Sequence, residues 1–277
     1  MTGTRRSFIT TLVTGFTLAA GPINAAAITT DTTGLDAGDV TIPVSDGKIP
    51  AYRARPSGRK YAPVILVVQE VFGVHEFIKD VCRRFAKLGF YAVAPALYAR
   101  QGDPAKYDMA HISELISEVV SKVPDSEVMS DLDSTVAFAM AEGADTTKLG
   151  ITGFCWGGRV VWLYAARNPA LKAGVAWYGP LGGKPTALKP HSAIELASAI
   201  HAPILGNYGG KDMGIPPADI EAMRAALKTA GNAKSRIDVY EDSQHGFFAD
   251  YRDSYNEKDA KTAWAEAVAW FAENGVK

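Results

Sequence analysis

The chain is short of cysteine, of net charge and of long hydrophobic runs. It has two cysteines, Cys82 and Cys155, among 277 residues, which is too few for a disulfide scaffold. The formal net charge is −1 and no block of like charges occurs, so nothing indicates nucleic acid or an anionic membrane as a partner. Beyond the N-terminal segment, no uninterrupted apolar run reaches the length of a membrane span. We therefore expect the rest of the chain to be soluble and monomeric.

Motifs for metal ions and nucleotide cofactors are missing as well. No Gly-x-Gly-x-x-Gly motif follows a predicted strand, which argues against a dinucleotide. Four of the five histidines lack a spacing typical of metal ligands, namely His75, His111, His191 and His201. We therefore expect neither a metal ion nor a bound cofactor.

Residues 1–27 have the layout of a secretory signal. The motif "RRSF" at 5–8 precedes an uncharged, mostly apolar run at 9–20, and small residues follow. Paired arginines are typical of the twin-arginine type, whose export system carries folded proteins. We expect cleavage after Ala25 or Ala27 and a periplasmic or secreted protein. A disordered start or a membrane anchor is the alternative.

The order of predicted elements after this signal is that of one α/β domain, residues 28–277. Alternating residues around "SDGK" predict a β-hairpin, and apolar runs at 63–70 and 90–98 predict strands covered on both faces. Strand–helix units follow. Four helices are predicted at 76–88, 109–122, 126–142 and 257–274, a fifth begins after Cys155, and a sixth ends at Gly231. This order predicts a three-layer fold, with a mainly parallel sheet of about eight strands and helices on both faces.

The segment "ITGFCWGG" places a cysteine between a strand predicted at 148–152 and a helix. Gly153 and Gly157 give the Gly-x-Cys-x-Gly spacing of a nucleophile elbow, a strained turn that lifts the central side chain above the sheet. The sulfur of Cys155 then lies at a helix N-terminus, which favours the thiolate. The backbone N–H of Trp156 would point at an oxyanion on the substrate. The alternative is a buried structural cysteine on a glycine turn.

A cysteine nucleophile needs a base, and His245 follows the last predicted strand in "EDSQHGFF". Its imidazole can take the thiol proton or sit beside the thiolate as imidazolium. Asp212, in "YGGKDMGIPP", can accept the imidazole N–H and fix its tautomer. The order Cys155, Asp212, His245 is that of α/β-hydrolases. Asp242 and Asp219 are the alternatives for the orienting carboxylate.

Two further residues at the end of the strand at 63–70 are candidates. The carboxylate of Glu70 can hydrogen-bond the thiol or pair with a cation, and a partly solvated surface carboxylate is the alternative. The backbone N–H of Val71 is placed to give a second oxyanion donor. Cys82, by contrast, follows the apolar spacing of a helix and is expected to be a packing residue.

At these residues the sequence resembles the dienelactone hydrolase (carboxymethylenebutenolidase) family of α/β-hydrolases. The matching stretches are "QEVFGVHEFIKDVCRRFAKLGFYAVAPALYARQG", "GITGFCWGGR", "AWYG", "GGKD" and "QHGF", and the resemblance runs from about Val40 to Phe271. It implies the α/β-hydrolase fold and a Cys–His–Asp triad of Cys155, His245 and Asp212.

The resemblance also implies roles for two charged residues. Glu70 holds the thiol in the resting enzyme and swings as substrate binds, and Arg100 in "LYARQG" binds the substrate carboxylate with its planar fork. A surface salt bridge is the alternative for Arg100. The sequence departs from the family at Ala249, where the enzyme that opens dienelactone has a second arginine, and Arg252 is nearby but out of register.

Together these residues predict a hydrolase that opens lactone or ester bonds through a thioester on Cys155, with a small molecule as its partner. The departure at Ala249 either weakens binding of the anionic dienelactone or indicates another ester as substrate. Two alternatives use the same scaffold: a non-catalytic ligand-binding protein with an inert thiol, and an acyltransferase that passes the acyl group to an acceptor other than water.

Overall fold

The computed structural model describes residues 27–277, whose hydrophobic core surrounds an eight-stranded sheet. The described chain begins with a hairpin of β1 (Leu35–Val44) and β2 (Gly47–Pro56), as the alternation around "SDGK" predicts. Residues 1–26, and with them nearly all of the predicted export signal, lie outside the described residues. Export therefore stays a prediction.

Strand–helix units make up the rest of the fold. The strands are β3 (Pro63–Val68), β4 (Tyr91–Pro95), β5 (Asp145–Phe154), β6 (Ala173–Trp177), β7 (Ile204–Gly209) and β8 (Arg236–Tyr240). The helices are α1 (Glu76–Lys87), α2 (Ile112–Glu118), α3 (Asp125–Ala141), α4 (Trp156–Arg167), α5 (Pro217–Thr229) and α6 (Glu257–Glu273).

The sheet is mainly parallel, as predicted. Its strand order is β1-β2-β4-β3-β5-β6-β7-β8. The pairs β1–β2 and β2–β4 are antiparallel, and the remaining neighbours are parallel. Every residue of β3, β4, β6 and β7 is buried, which requires cover on both faces of the sheet. The predicted three-layer α/β architecture is confirmed.

Three predicted elements are shorter in the structure. The run at 90–98 forms a strand only over β4, which ends at Pro95. The helix predicted at 109–122 is α-helical only over α2, between two 3₁₀ turns. The side chain of Asp108 caps the first of these turns by accepting two of its N–H groups. The strand predicted at 63–70 ends at Val68. Glu70 therefore lies in a turn, in which the N–H of Gly73 donates to the carbonyl oxygen of Glu70 at 3.0 Å.

The carboxyl ends of the parallel strands meet at one edge of the sheet, where functional sites of such folds form. Four predicted site residues follow β3, β5, β7 and β8 at this edge, and all four are buried: Glu70, Cys155, Asp212 and His245. Among residues 27–277, none of the helices is both long and apolar enough to traverse a bilayer. The same residues contain no cluster of three or more His, Cys, Asp or Glu side chains that could hold a metal ion.

Candidate active site

Cys155 occupies a strained turn between β5 and α4. Its backbone angles are φ 53° and ψ −117°, and such a conformation costs a non-glycine residue about 1–3 kcal/mol. Its N–H donates to the carbonyl oxygen of Trp177 and its own carbonyl accepts from Gly158, both at 2.9 Å. The next residue, Trp156, begins α4, so Cys155 stands at the positive end of the helix dipole. This is the geometry of the predicted nucleophile elbow.

The glycines of the elbow allow its backbone to pack directly on neighbouring backbone. A Cβ at Gly153 would lie 2.3 Å from the carbonyl oxygen of Gly157, and one at Gly157 would lie 2.5 Å from that of Gln69. A Cβ at Gly158 would lie 2.5 Å from the carbonyl oxygen of Trp177. No side chain fits at these distances. The glycine spacing is therefore a steric requirement, and Gly157 lets α4 approach the end of β3.

His245 and Asp212 meet beside the elbow. Nδ1 of His245 lies 2.7 Å from Oδ2 of Asp212, and Oδ1 of Asp212 accepts the N–H of Gly214 at 2.8 Å. The side chain of Cys155 lies near enough to interact electrostatically with the imidazole. The ring of Tyr178 packs edge-on against the imidazole, with centroids 5.0 Å apart. The structure thus brings together the three residues predicted to form a triad.

Neighbouring charges control the protonation of His245. Burial alone would lower its pKa, but the charges of Asp212 and Cys155 raise the pKa to about 10. The ring is therefore an imidazolium at neutral pH, with its positive charge between a carboxylate and a sulfur. Such a ring stabilises negative charge on the sulfur and holds a proton that a leaving group can receive.

The two alternatives for the orienting carboxylate lie elsewhere. Asp242 is exposed and pairs with Lys211 at 2.7 Å, and Asp219 lies in the first turn of α5 beside Gly182. Of these three carboxylates, Asp212 is the one in contact with His245.

Glu70 is fully buried in a group of donors that we call the Glu70 cage, formed by His75, Tyr251 and Arg252. Nη2 of Arg252 donates to Oε2 at 2.9 Å. Nε2 of His75 lies 2.8 Å from Oε1, and the Tyr251 hydroxyl donates to the same oxygen. Burial would raise the pKa of Glu70, but the charge of Arg252 and the hydrogen bond to His75 lower the pKa to about 2. Glu70 is thus an ionised, cation-paired carboxylate rather than a partly solvated one.

The cage contains residues that sequence reasoning missed. Arg252 is out of the family register, but two successive turns bring it back to the site. The N–H of Ala249 donates to the carbonyl of Gly246 at 2.8 Å, and that of Arg252 donates to the carbonyl of Ala249 at 3.0 Å. The signal for Arg252 in the sequence was its position a few residues after His245. His75 follows Glu70 by five residues and gave no signal of its own.

Arg100 lies in a different set of contacts. Its guanidinium binds Asp46, in the turn between β1 and β2, at 2.6 and 2.7 Å. It also binds Asp131 of α3 at 2.8 and 3.0 Å. Hydrogen bonds to these two carboxylates raise the pKa of Arg100. This placement favours the salt-bridge alternative over the substrate-binding role that the resemblance implies.

The two backbone groups predicted to bind an oxyanion lie where α4 meets the end of β3. Trp156 is the first residue of α4, a position whose N–H has no acceptor within the helix. The next residue, Gly157, packs against the backbone of Gln69, two residues before Val71. Both Trp156 and Val71 are buried. Their role as oxyanion donors stays a prediction.

A cleft of about 840 Å³ opens beside the Glu70 cage, a volume that suits a small organic ligand. His75 and Tyr251 of the cage line it, together with Phe72. Cys155 and His245 do not line the cleft and are buried. Two members of the Glu70 cage thus form part of the wall of this cleft, behind which Glu70 and the elbow are buried.

Comparisons with known proteins agree with this geometry. The model of the dienelactone hydrolase family matches residues 49–275. A protein of Methylorubrum extorquens named "putative carboxymethylenebutenolidase" is 56% identical over 275 residues, which cover 98% of this chain and 94% of that protein. A "probable 2-oxo-3-(5-oxofuran-2-ylidene)propanoate lactonase" of Bradyrhizobium is 31% identical over 224 residues, 79% of this chain and 87% of that protein.

A solved structure is similar along the same length. The crystal structure of a "putative dienelactone hydrolase" from Klebsiella pneumoniae is 50% identical, has a TM-score of 0.83, and covers 86% of this chain and 99% of its own. The residues matched by the family model include the elbow, the aspartate–histidine pair and the Glu70 cage. Membership indicates a hydrolase on the α/β-hydrolase fold, and the matches in sequence and structure together show that the chain belongs to the dienelactone hydrolase family.

Proposed function

We propose that this protein hydrolyses lactone or ester bonds, with Cys155 as nucleophile, His245 as acid and base, and Asp212 as the orienting carboxylate. The observation that carries the proposal is the chain of contacts from Asp212 through His245 to Cys155 at a strained turn. A merely structural cysteine would need neither the strain nor the charged imidazole beside it.

In the first half of the reaction, the thiolate of Cys155 attacks the carbonyl carbon and a sulfur–carbon bond forms. The negative charge that develops on the carbonyl oxygen is bound by the N–H groups of Trp156 and Val71. The carbon–oxygen bond of the ester then breaks, and the leaving oxygen takes the proton of the His245 imidazolium. The product is a thioester, with the released hydroxyl still attached to the acyl group when the substrate is a lactone.

In the second half, the neutral imidazole of His245 takes a proton from water as that water attacks the thioester. The sulfur–carbon bond breaks, the acid leaves, and Cys155 is again a thiolate beside an imidazolium. Asp212 keeps the imidazole in one orientation throughout, because its second oxygen is held by the backbone N–H of Gly214.

The thiol-holding role proposed for Glu70 requires its carboxylate to turn from the cage toward the sulfur. Its present partners are Arg252, His75 and Tyr251. Because Arg252 is a buried cation, it can pair with Glu70 again after the thiol is released. The cage is therefore one of the two positions that the proposed movement of Glu70 requires.

The test compares matched pairs of variants on dienelactone and 4-nitrophenyl acetate. We expect Cys155→Ala to lower kcat/KM by roughly 10³-fold or more, and Asp212→Asn to lower kcat by roughly 10²-fold or more. The controls are Cys82→Ala and Asp242→Asn, which we expect to stay near the native rate. An acetyl group on the Cys155 peptide, trapped by acid quench and detected by mass spectrometry, would identify the thioester.

Equal turnover by the native protein and Cys155→Ala would refute the proposal. Absence of turnover by the native protein on a panel of lactones and short esters, with ligand binding retained, would favour the non-catalytic alternative. The acyltransferase uses the same residues, so product analysis with an added alcohol separates it from the hydrolase.

Export through a twin-arginine signal is a further proposal, tested by the location of a chain with Arg5 and Arg6 replaced by lysine.

A further inference from the structure

The cleft beside the Glu70 cage carries an excess of carboxylates. Five acidic residues line it, namely Asp39, Glu76, Asp103, Asp108 and Asp250. Among the described residues, its basic lining consists of Lys79 and His75. A substrate that enters through this cleft passes this set of charges.

Three of these carboxylates have strong cations as partners. Asp39 pairs with Lys79 at 2.8 Å, so the one lysine of the lining already has a carboxylate partner. The other two pair with arginines outside the lining, Glu76 with Arg83 and Asp250 with Arg84, each at 2.5 Å. These pairs leave little net charge.

Asp103 and Asp108 differ from these three carboxylates in their partners. Within residues 27–277, neither contacts a lysine or an arginine. Asp103 accepts the N–H of Ala105 at 3.0 Å, and Asp108 accepts the N–H of Ala110 at 3.0 Å and contacts Nδ1 of His111 at 2.7 Å. Both aspartates are exposed and lie on the same loop at the cleft. They bring negative charge to the entrance of the cleft, and at Asp108 this charge is reduced when His111 is protonated.

The arginines that could bind a substrate carboxylate are already engaged. Arg100 is held by Asp46 and Asp131. Arg252 is paired with Glu70 inside the cage and is buried. A carboxylate on the substrate would therefore lose water without gaining a bidentate partner.

We infer that the cleft selects uncharged esters or lactones with an apolar group and discriminates against substrates that carry a carboxylate. The apolar part of the lining, which includes Phe72, Phe77, Pro104 and Met109, provides the surface for such a group. This inference rests on the proposed function and names the substrate class of the same site.

The test uses esters of similar size that differ in charge. Mono-4-nitrophenyl succinate carries a carboxylate, methyl 4-nitrophenyl succinate masks it, and 4-nitrophenyl pentanoate replaces it with an alkyl end. Rates are measured with the full chain at pH 8.5. Hydrolysis in the presence of Cys155→Ala is subtracted. We expect kcat/KM for the two neutral esters to exceed that of the succinate by at least about tenfold, and the ratio to shrink in high salt.

Variants separate the charge of the entrance from other causes. Asparagine caps a turn as aspartate does, so Asp103→Asn combined with Asp108→Asn removes charge and keeps the capping contacts. We expect the neutral-to-anionic ratio to fall several-fold in this double variant and to stay at the native value in Glu273→Gln, which removes an exposed carboxylate at the end of α6.

Two failures are distinguishable. Rates equal to those of Cys155→Ala on all three esters would overturn the proposed hydrolase itself. Turnover that depends on Cys155 but is equal for the three esters, or highest for the succinate, would overturn the substrate class and leave the hydrolase in place. A ratio that persists unchanged in the double variant would likewise overturn the assignment to the entrance charges.

Discussion

Cys155 and Cys82 are equally buried, but the regions around them differ in every property that governs thiol chemistry. Cys82 lies in the middle of α1, where burial raises the pKa of its thiol well above the ordinary value. Cys155 stands before the first residue of α4, in a strained conformation, with the imidazole of His245 beside its sulfur. Burial is common to both sites, so it cannot be what makes a cysteine reactive.

The difference lies in what compensates the charge of a thiolate. In the middle of a helix the backbone N–H groups are already bonded within the helix, and at Cys82 the effect of burial outweighs the opposing charge of Arg83. At the start of a helix the N–H groups are unpaired, and at Cys155 an imidazolium adds a full positive charge. The glycines of the elbow are what allow the sulfur to occupy that position.

The largest expected contrast between the two cysteines is in alkylation. At pH 6 a thiol with an ordinary pKa is only about 0.3% ionised, and Cys82 is ionised far less because burial raises its pKa. We expect iodoacetamide to label Cys155 of the folded protein at least about 10³-fold faster than Cys82. Mass spectrometry of the two peptides after limited labelling measures the ratio.

The unfolded protein is the control for this experiment, because in denaturant both thiols should react at similar rates. Equal labelling of the two cysteines in the folded protein would contradict the contrast. Labelling of Cys155 no faster than free cysteine at pH 6 would favour the alternative of an inert thiol on a hydrolase scaffold.

A smaller effect is expected when the elbow is crowded. Gly157→Ala places a Cβ against the backbone carbonyl of Gln69, and backbone on both sides cannot move away as a flexible side chain would. We expect a loss of about 1–3 kcal/mol in the free energy of unfolding. We also expect a roughly 10²-fold loss of ester hydrolysis, because the sulfur and the N–H of Trp156 are displaced together.

Gly38→Ala is the matched substitution outside the site. Gly38 lies in β1 and an added Cβ would meet no atom within 4 Å. Urea unfolding and ester hydrolysis should both stay close to native values for this variant. If Gly157→Ala behaved in the same way, the glycine spacing of "GFCWGG" would have no steric meaning.

The sequence was informative where function depends on local geometry. The elbow could be predicted because Gly153, Cys155 and Gly157 belong to one turn, whose sterics are visible in a few consecutive letters. The positions of Asp212 and His245 could be predicted because each follows a strand, and the ends of parallel strands share one edge of the sheet. The sheet itself followed from the alternation of apolar runs with helical spacing.

The charge pairs could not be predicted, because they join distant parts of the chain. Glu70 meets Arg252 across 182 positions of sequence, and its register depends on two turns after His245. Arg100 is engaged by Asp46 in a hairpin turn and Asp131 in a helix. These partners meet the arginine only once the fold exists, so a family motif alone could not indicate them.

The smallest expected effect concerns the titration of His245. The charge of Cys155 is one of the causes that raise the pKa of His245 to about 10, against the opposing effect of burial. In Cys155→Ala this contribution is lost while burial and Asp212 remain, so the pKa of His245 should fall by about one unit or more, equivalent to about 1.4 kcal/mol. NMR titration of the imidazole Cε1–H resonance, assigned by its loss in His245→Gln, measures the shift, and Cys82→Ala is the control that should leave the titration in place.

The same pKa determines how stability depends on pH. Because the pKa of His245 is raised on folding from an ordinary value of about 6.5, its proton stabilises the folded state fully below that value. The stabilisation is lost as the pH rises toward 10. The difference in free energy of unfolding between the native protein and His245→Gln should therefore shrink between pH 7 and pH 10. When both proteins also carry Cys155→Ala, the midpoint of this loss should lie at a lower pH. If the midpoint does not move when the sulfur is removed, Cys155 and His245 are not electrostatically coupled, and the contrast with Cys82 would then rest on helix position alone.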